Sequence, residues 1–493
     1  FYVACIVGVI MILSPKELPI SESISMKVFS LDEIAPPKID TAQADISNVL
    51  ALQEKLEKLE NPQLSSPQET KKQKQNPEEN VYTIEQYDIS DRREPSASDT
   101  SKRIEKYEDT PNPEFPIQYA DENNDALVPF FESLQRNQLL RIVHYGDSQL
   151  EGDRVTSYLR KRMQQRFGGC GVGLVPLLEK QSIRSTLSTR NASNISRYSV
   201  LDSRRKKPRY GLLGSYFRFA ASDSLRTSKT WLTFSKTAYD EGELPTKIEN
   251  IKFVYTSNRA IRTQLKIDKD TVIKTDLRFR PEVSYQEIGF KTTFKQIQIN
   301  LETEGNPEFY GIAFDCDQGV AVDNVALRGM SVIDFSKTSR DFLASQLENM
   351  NVKLIILQFG VNVVPNPVRN YDFYEKMFYN QLKYLKSVAP DVSVLVVGVS
   401  DMARRSGTGY ASYPNVTLIR NAQKNAAFKA GCAFWDLYQA MGGANSMVKW
   451  VKNKPSLANT DYTHFNARGA KLVGEMIYNA LMKEYENYKQ QNQ

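Results

Sequence analysis

QLLRIVHYGDSQLEGDR, Gln138 to Arg154, is the stretch that decides the fold. A largely apolar run is closed by Gly146. Beyond the turn, Val155, Leu159, Met163 and Phe167 recur every four residues, the spacing of one helix face. A strand turning directly into a helix is the opening of a βα unit. VKLIILQFG (Val352–Gly360) and DVSVLVVGVS (Asp391–Ser400) are continuous apolar runs, as expected of strands buried on both faces of a parallel sheet. Helical stretches separate and follow them at Tyr371–Val388 and Val416–Gly431, then a short strand at Cys432–Tyr438 and a closing helix at Gly469–Tyr488. The layout is α/β, a doubly wound parallel sheet.

Between 181 and 322 the texture changes. Tyr210–Ala220, Lys229–Thr237, Glu249–Ser257, Arg262–Phe279 and Phe294–Thr303 are short strand-like runs with no helices between them. In the last, Ile297, Ile299 and Leu301 alternate with Gln298 and Asn300, which gives period two and one wet face. Regularly spaced strands of this kind predict an inserted all-β jelly-roll domain. The α/β domain is therefore expected over 115–180 and 323–493. Tyr210, Tyr216, Trp231 and Tyr255 are candidates for stacking on sugar rings, with core packing the plainer role for most of them. The basic run Arg204–Arg209 reads as a solvated loop.

The chain has 493 residues, 41% hydrophobic and 25% charged, which excludes wholesale disorder and a polytopic membrane protein. A net charge of +6 from 64 basic and 58 acidic residues is far short of a nucleic-acid binder's basic stripe. Cys5, Cys170, Cys316 and Cys432 have no short paired spacing, so neither a zinc site nor a disulfide framework is signalled. Residues 1–14 open with 13 uncharged residues, FYVACIVGVIMIL, and read as the remnant of a membrane anchor or signal segment. From 15 to 114 the chain is expected to be a disordered linker: it has no glycine, many prolines, and tracts with almost nothing apolar to bury. Within it, Ile46, Val49, Leu52, Leu56 and Leu59 approximate a helical stripe, expected to form only transiently.

The chemistry-bearing residues fall at strand ends. Ser148 follows a strand and a Gly-Asp pair, so a strand-to-helix turn lifts its hydroxyl to the carboxyl edge of the sheet, where open α/β sheets bind ligands. Asp461 and His464 are three residues apart in DYTHFNARGAKL, just before the last helix. A serine hydroxyl needs a base within reach, and His464 can take its proton while Asp461 fixes the imidazole tautomer. His144, the other histidine, lies inside the first strand and reads as a structural residue beneath the site. Asn362 closes the strand before it and can donate an amide hydrogen bond to an oxyanion; Gly329 can offer a backbone N–H.

Gly146-Asp147-Ser148, Gly329, Gly360-Val361-Asn362 and Asp461-Tyr462-Thr463-His464 occur in the order of the four blocks of the SGNH (GDSL-type) hydrolases, and the chain resembles that family over about 135–180 and 323–485. The resemblance implies Ser148, Asp461 and His464 as the catalytic residues, an oxyanion hole of Ser148, Gly329 and Asn362, and neither metal nor cofactor. Gln149 departs from the family's leucine, a position expected to do no chemistry. With a sandwich inserted after the first βα unit, the chain looks like the bacterial peptidoglycan O-acetylesterases, whose insert resembles a carbohydrate-binding module. The function this implies is a serine esterase removing O-acetyl groups from an acetylated cell-envelope glycan, located extracytoplasmically and tethered to a membrane by its N-terminal segment. An O-acetyltransferase on the same glycan and a non-catalytic wall-binding protein are the alternatives. Which glycan it is, and the oligomeric state, are not readable from the sequence.

Overall fold

The computed structural model describes residues 17–21, 24–27, 47–60, 115–120, 125–179, 184–201, 209–219, 227–237 and 247–492. Residues 1–14, most of the expected linker, and the basic run apart from Arg209 lie outside the described residues. The chain divides into two units, Phe1–Thr41 and Ala42–Gln493. The first contains an antiparallel pair, β1 (Glu17–Ser21) and β2 (Ile24–Lys27).

In the second unit, α1 (Ser47–Glu60) and α2 (Val128–Leu134) precede β3 (Leu139–Gly146), which leads through a short turn to α3 (Thr156–Phe167). The chain then leaves the α/β part through β4 (Gly173–Val175). It continues through β5 (Leu187–Asn191), β6 (Ile195–Ser199), β7 (Ser215–Phe219), β8 (Ser228–Lys236), β9 (Lys247–Ser257), β10 (Ile261–Ile267) and β11 (Thr271–Leu277). The last strands of this part are β12 (Arg280–Thr293), β13 (Gln296–Thr303) and β14 (Glu308–Asp315). It returns as β15 (Gly319–Ala326), α4 (Arg340–Asn349), β16 (Val352–Gln358), α5 (Asp372–Val388) and β17 (Ser393–Val397). A hairpin, β18 (Ala403–Ser406) and β19 (Gly409–Ser412), comes next. The chain ends with α6 (Val416–Lys429), β20 (Ala433–Trp435), α7 (Leu437–Ala440), α8 (Ser446–Lys452) and α9 (Ala467–Gln491).

The central sheet has the order β15-β3-β16-β17-β20, every pair parallel. Successive residues of its strands face opposite layers. Leu140, Ile142, Leu354, Ile356, Leu395 and Val397 pack with α1, α2, α3 and α9. Val143, Tyr145, Ile355, Leu357, Val394 and Val396 pack with α4, α5 and α6. Helices on both faces explain why these strands read as unbroken apolar runs. The strands β5 to β14 form two antiparallel sheets, β11-β10-β13-β8-β5 and β12-β9-β14-β7-β6, whose inner side chains share one core. Ile297, Ile299 and Leu301 are buried in it, so the period-two stripe faces inward.

Three expectations need correction. The return to the parallel sheet comes at Gly319, because β15 pairs with β3 from that residue onward, so a boundary at 323 would cut a strand. Residues 47–60 are not linker: α1 docks Val49, Leu52 and Leu56 into the main core, enough apolar surface to hold the helix in place. Cys170 and Cys316 form a disulfide across 146 residues. Sequence spacing hides this pair because the inserted sheets separate the two cysteines, which meet where the chain leaves the α/β part and where it comes back. The backbones there run so close that a Cβ at Gly171 would lie 2.0 Å from the Phe314 carbonyl oxygen. The plainer role expected for most of the candidate stacking aromatics holds: Tyr210, Tyr216 and Tyr255 are buried in the core, and of the four Trp231 alone is exposed, at 40%.

Candidate active site

Chain order puts β15 on one side of β3 and β16 on the other, so the connections diverge around β3, the place where open α/β sheets hold ligands. Ser148 follows β3 at that point. Gly146 fits because the strand ends pack tightly: a Cβ there would lie 2.6 Å from the Gln358 carbonyl oxygen on β16 and equally close to Leu150. Asp147 caps the next turn, its Oδ1 accepting from the Gln149 N–H at 3.0 Å. Ser148 is the first residue of that 3-10 turn, so its own N–H has no acceptor within the turn.

A serine hydroxyl, an imidazole and a carboxylate stand in series. Ser148 Oγ is 2.8 Å from His464 Nε2, and His464 Nδ1 is 2.8 Å from Asp461 Oδ2. The carboxylate accepts from Nδ1, which leaves Nε2 to accept from the serine hydroxyl. Asp461 Oδ1 also accepts from the N–H groups of Thr463 (2.9 Å) and His464 (3.0 Å). Partial burial alone would raise the Asp461 carboxyl, but these donors, with the imidazole, outweigh it and hold the carboxyl below its ordinary value.

Gly329 and Asn362 occupy the two neighbouring loops. Leu327 N–H donates to Gly146 O (2.7 Å) and Met330 N–H to Leu327 O (3.1 Å), so Gly329 sits inside a tight turn at φ +84°, a conformation that favours glycine. A Cβ there would meet nothing within 4 Å, so the residue faces open space. Asn362 Nδ2 donates to Met330 O (2.9 Å), tying the two loops together and leaving its second hydrogen unassigned to that bond.

Two residues that sequence reasoning passed over hold this constellation. Gln149 is buried; its Nε2 donates to Thr463 O (2.7 Å) and Ser400 Oγ (3.1 Å), and its Oε1 accepts from Phe465 N–H (3.4 Å). It therefore grips the backbone on both sides of His464. Arg154 donates to Phe465 O (2.6 Å), Glu151 O (2.8 Å) and Ser148 O (3.4 Å), a second link between the serine and histidine loops. The only hint in the sequence was an amide where the family motif carries leucine.

Beneath the site, His144 is fully buried between Gln358 Oε1 (3.1 Å) and Thr156 Oγ1 (3.1 Å). Burial pulls its pKa down to about 4, the Gln358 hydrogen bond opposing only in part, so it is a neutral structural residue. Asp147 is buried as well. Desolvation pushes its carboxyl up to about 7 against the backbone N–H groups of Gln149, Val361 and Gly360, which favour its charged form. Among the described residues no group of histidines, cysteines and carboxylates is arranged to hold a metal ion.

No family model and no curated protein sequence matches this chain. Among solved structures, one of a peptidoglycan O-acetylesterase in action matches with a TM-score of 0.58 at 19% identity, over 75% of this chain and 99% of that one. The two share a fold. An acetyl xylan esterase matches 33% of this chain and 81% of its own at 17% identity, TM-score 0.24. A family two carbohydrate esterase from Cellvibrio japonicus matches 61% and 99% at 7% identity, TM-score 0.21. The fold shared with the O-acetylesterase covers nearly the whole of that protein.

Proposed function

We propose that this chain is a serine carboxylic ester hydrolase that removes O-acetyl groups from a cell-envelope glycan, peptidoglycan being the favoured substrate. The observation that carries the reading is the hydrogen-bonded series Ser148–His464–Asp461 at the divergence point of a parallel sheet. Ser148 Oγ attacks the ester carbonyl carbon as His464 Nε2 takes its proton. The oxyanion is met by the N–H groups of Ser148 and Gly329 and by the Asn362 amide, each such donor contributing about 3 kcal/mol. The bond to the sugar oxygen breaks, and that oxygen leaves with the proton from His464. Water, deprotonated in turn by His464, attacks the acetyl carbon; acetate departs and Ser148 Oγ recovers its proton.

Supporting features lie elsewhere in the molecule. The Cys170–Cys316 disulfide suits an oxidising, extracytoplasmic compartment. The paired antiparallel sheets fit a jelly-roll module of the carbohydrate-binding type. Residues 1–14 fit a membrane anchor and the proline-studded stretch after α1 a tether; no helix among the described residues is itself long and apolar enough to cross a membrane. The test is acetate release from O-acetylated peptidoglycan and from acetylated xylan, with p-nitrophenyl acetate as a small reporter. The parent protein should turn over the reporter and release acetate faster from peptidoglycan, and Ser148→Ala should reduce both to background while remaining folded. Equal background rates for parent and variant on every ester would overturn the proposal.

A further inference from the structure

The β18–β19 hairpin rises from the carboxyl end of β17, on the edge of the sheet that carries the catalytic loops. It is fixed to the catalytic loop at two points. Ala403 N–H donates to Tyr462 O (3.1 Å), and the Tyr410 ring stacks on the Tyr462 ring with centroids 3.7 Å apart and planes 12° from parallel. Tyr462 lies between Asp461 and His464 and is held at φ +57°, a left-handed conformation uncommon for a residue with a bulky side chain. Such strain persists only where surrounding contacts over-determine it, and the Tyr410 stack is one of those contacts.

The base of the hairpin is equally firm. The carboxylate of Asp401, fully buried, accepts from Ser412 Oγ (2.8 Å) and from Met447 N–H (2.8 Å) through the same oxygen. Ser412 N–H in turn donates to Asn445 Oδ1 (3.0 Å). The hairpin is thus a rigid wall beside the histidine and carboxylate of the site rather than a loose surface loop.

What the wall displays is specific. In the antiparallel register Arg405 stands directly opposite Tyr410, so both side chains emerge on one face, with Cβ atoms about 5 Å apart. One face of the Tyr410 ring is covered by Tyr462, yet the residue remains 42% exposed. Arg405 is exposed, and neither it nor Arg404 has a carboxylate partner among the described residues; Arg404 lies over the Tyr413 ring instead. An open aromatic face next to an unpaired guanidinium matches a pyranose ring that bears an acid: the ring's C–H face stacks and the carboxylate takes the guanidinium fork. A neutral glycan would leave the guanidinium without its complement.

We infer that the face of this hairpin carrying Arg405 and Tyr410 is a substrate-binding subsite beside the catalytic His464, and that it selects acetylated glycans carrying carboxylate groups. The inference rests on the esterase reading above and refines its substrate class. The experiment compares kcat/KM for acetate release from O-acetylated peptidoglycan and from the same polymer with its carboxylates amidated. The parent enzyme should prefer the acidic polymer by about tenfold, the order of one charge-assisted hydrogen bond at a partly exposed position. The preference should reside in KM and shrink in high salt. Arg405→Gln should bring the ratio of the two polymers to about one, and Arg405→Lys, which keeps the charge without the planar fork, should restore part of it. Tyr410→Ala should raise KM for both polymers alike. A parent enzyme indifferent to amidation, or an Arg405→Gln variant that keeps the full preference, would overturn the subsite. Failure of the esterase reading is separately visible, because it would abolish Ser148-dependent turnover of p-nitrophenyl acetate in the parent protein itself.

Discussion

Replacing Gln149 by leucine tests whether the buried amide does what its geometry indicates. Leucine is close in volume and is the residue that the family motif carries, so packing alone forecasts a neutral change. The hydrogen bonds forecast otherwise. Gln149 Nε2 serves Thr463 O at 2.7 Å and Oε1 serves Phe465 N–H at 3.4 Å, and Phe465 is completely buried. Each buried group left without a partner costs about 1–3 kcal/mol, and the added apolar burial offsets only part of that. The expected net loss is about 2–4 kcal/mol, read by urea unfolding at neutral pH. Because the two orphaned groups flank His464, the imidazole should also lose its register with Ser148. A displacement near 1 Å in such a constellation costs on the order of 100-fold, so kcat on p-nitrophenyl acetate should fall about 10- to 100-fold with KM within about twofold. Gln149→Met, isosteric but without the amide, should behave alike. A leucine variant as stable and as fast as the parent would refute the clamp. One that is destabilised but retains full kcat would confine Gln149 to folding.

Four further outcomes follow from buried groups. The Asp147 carboxyl, raised by burial to about 7, keeps its proton in the folded chain at pH values where the unfolded chain has lost it, so its contribution to stability falls as pH rises from about 4 to 7. His144, lowered to about 4, has the opposite slope: the unfolded chain takes up a proton below 6.5 and the folded chain does not, so its contribution falls as pH drops from 6.5 to 4. The two slopes oppose each other in the parent. Relative to it, Asp147→Asn should gain stability towards pH 7, and His144→Gln should gain it towards pH 4; urea unfolding across that range that runs parallel for all three proteins would contradict both assignments. Arg141 on β3 is fully buried between Asp315 (2.5 Å) and Asp323 (2.6 Å), so Arg141→Ala leaves two uncompensated carboxylates and should cost about 3–5 kcal/mol in the same assay. Leu56→Asp should strip α1 from the core, exposing Ser47–Glu60 to proteolysis while leaving the rate on p-nitrophenyl acetate unchanged.

Legibility in the sequence follows the range of the interactions concerned. The parallel strands could be read because burial on two faces leaves an unbroken apolar run, and Asp461 with His464 because one short loop carries both. β12, the longest strand among the described residues at 14 residues, left no pattern: Ile288 is its one buried residue, and a strand that is mostly half-exposed has no period to read. α1 showed its apolar stripe, yet whether a stripe docks depends on a groove built from residues hundreds of positions away. The same holds for Cys170 with Cys316 and for Gln149, whose partners are 251 and more residues distant along the chain. Residue type reveals what a side chain can do; only the assembled sheet edge determines what it meets.

That distinction bears on how the site came to be specified. Ser148, His464 and Asp461 would form the same short motifs on any loops, but they act together only if two loops separated by 316 residues are held in register. Two side chains span that gap without touching the reacting atoms: Gln149, which brackets His464, and Arg154, which joins Ser148 O to Phe465 O. Both sit within six residues of Ser148, on the turn that the β3–α3 connection makes unavoidable. The turn that presents the serine therefore also carries the braces for its base, and substitution of either brace should uncouple the two loops before it unfolds the sheet beneath them.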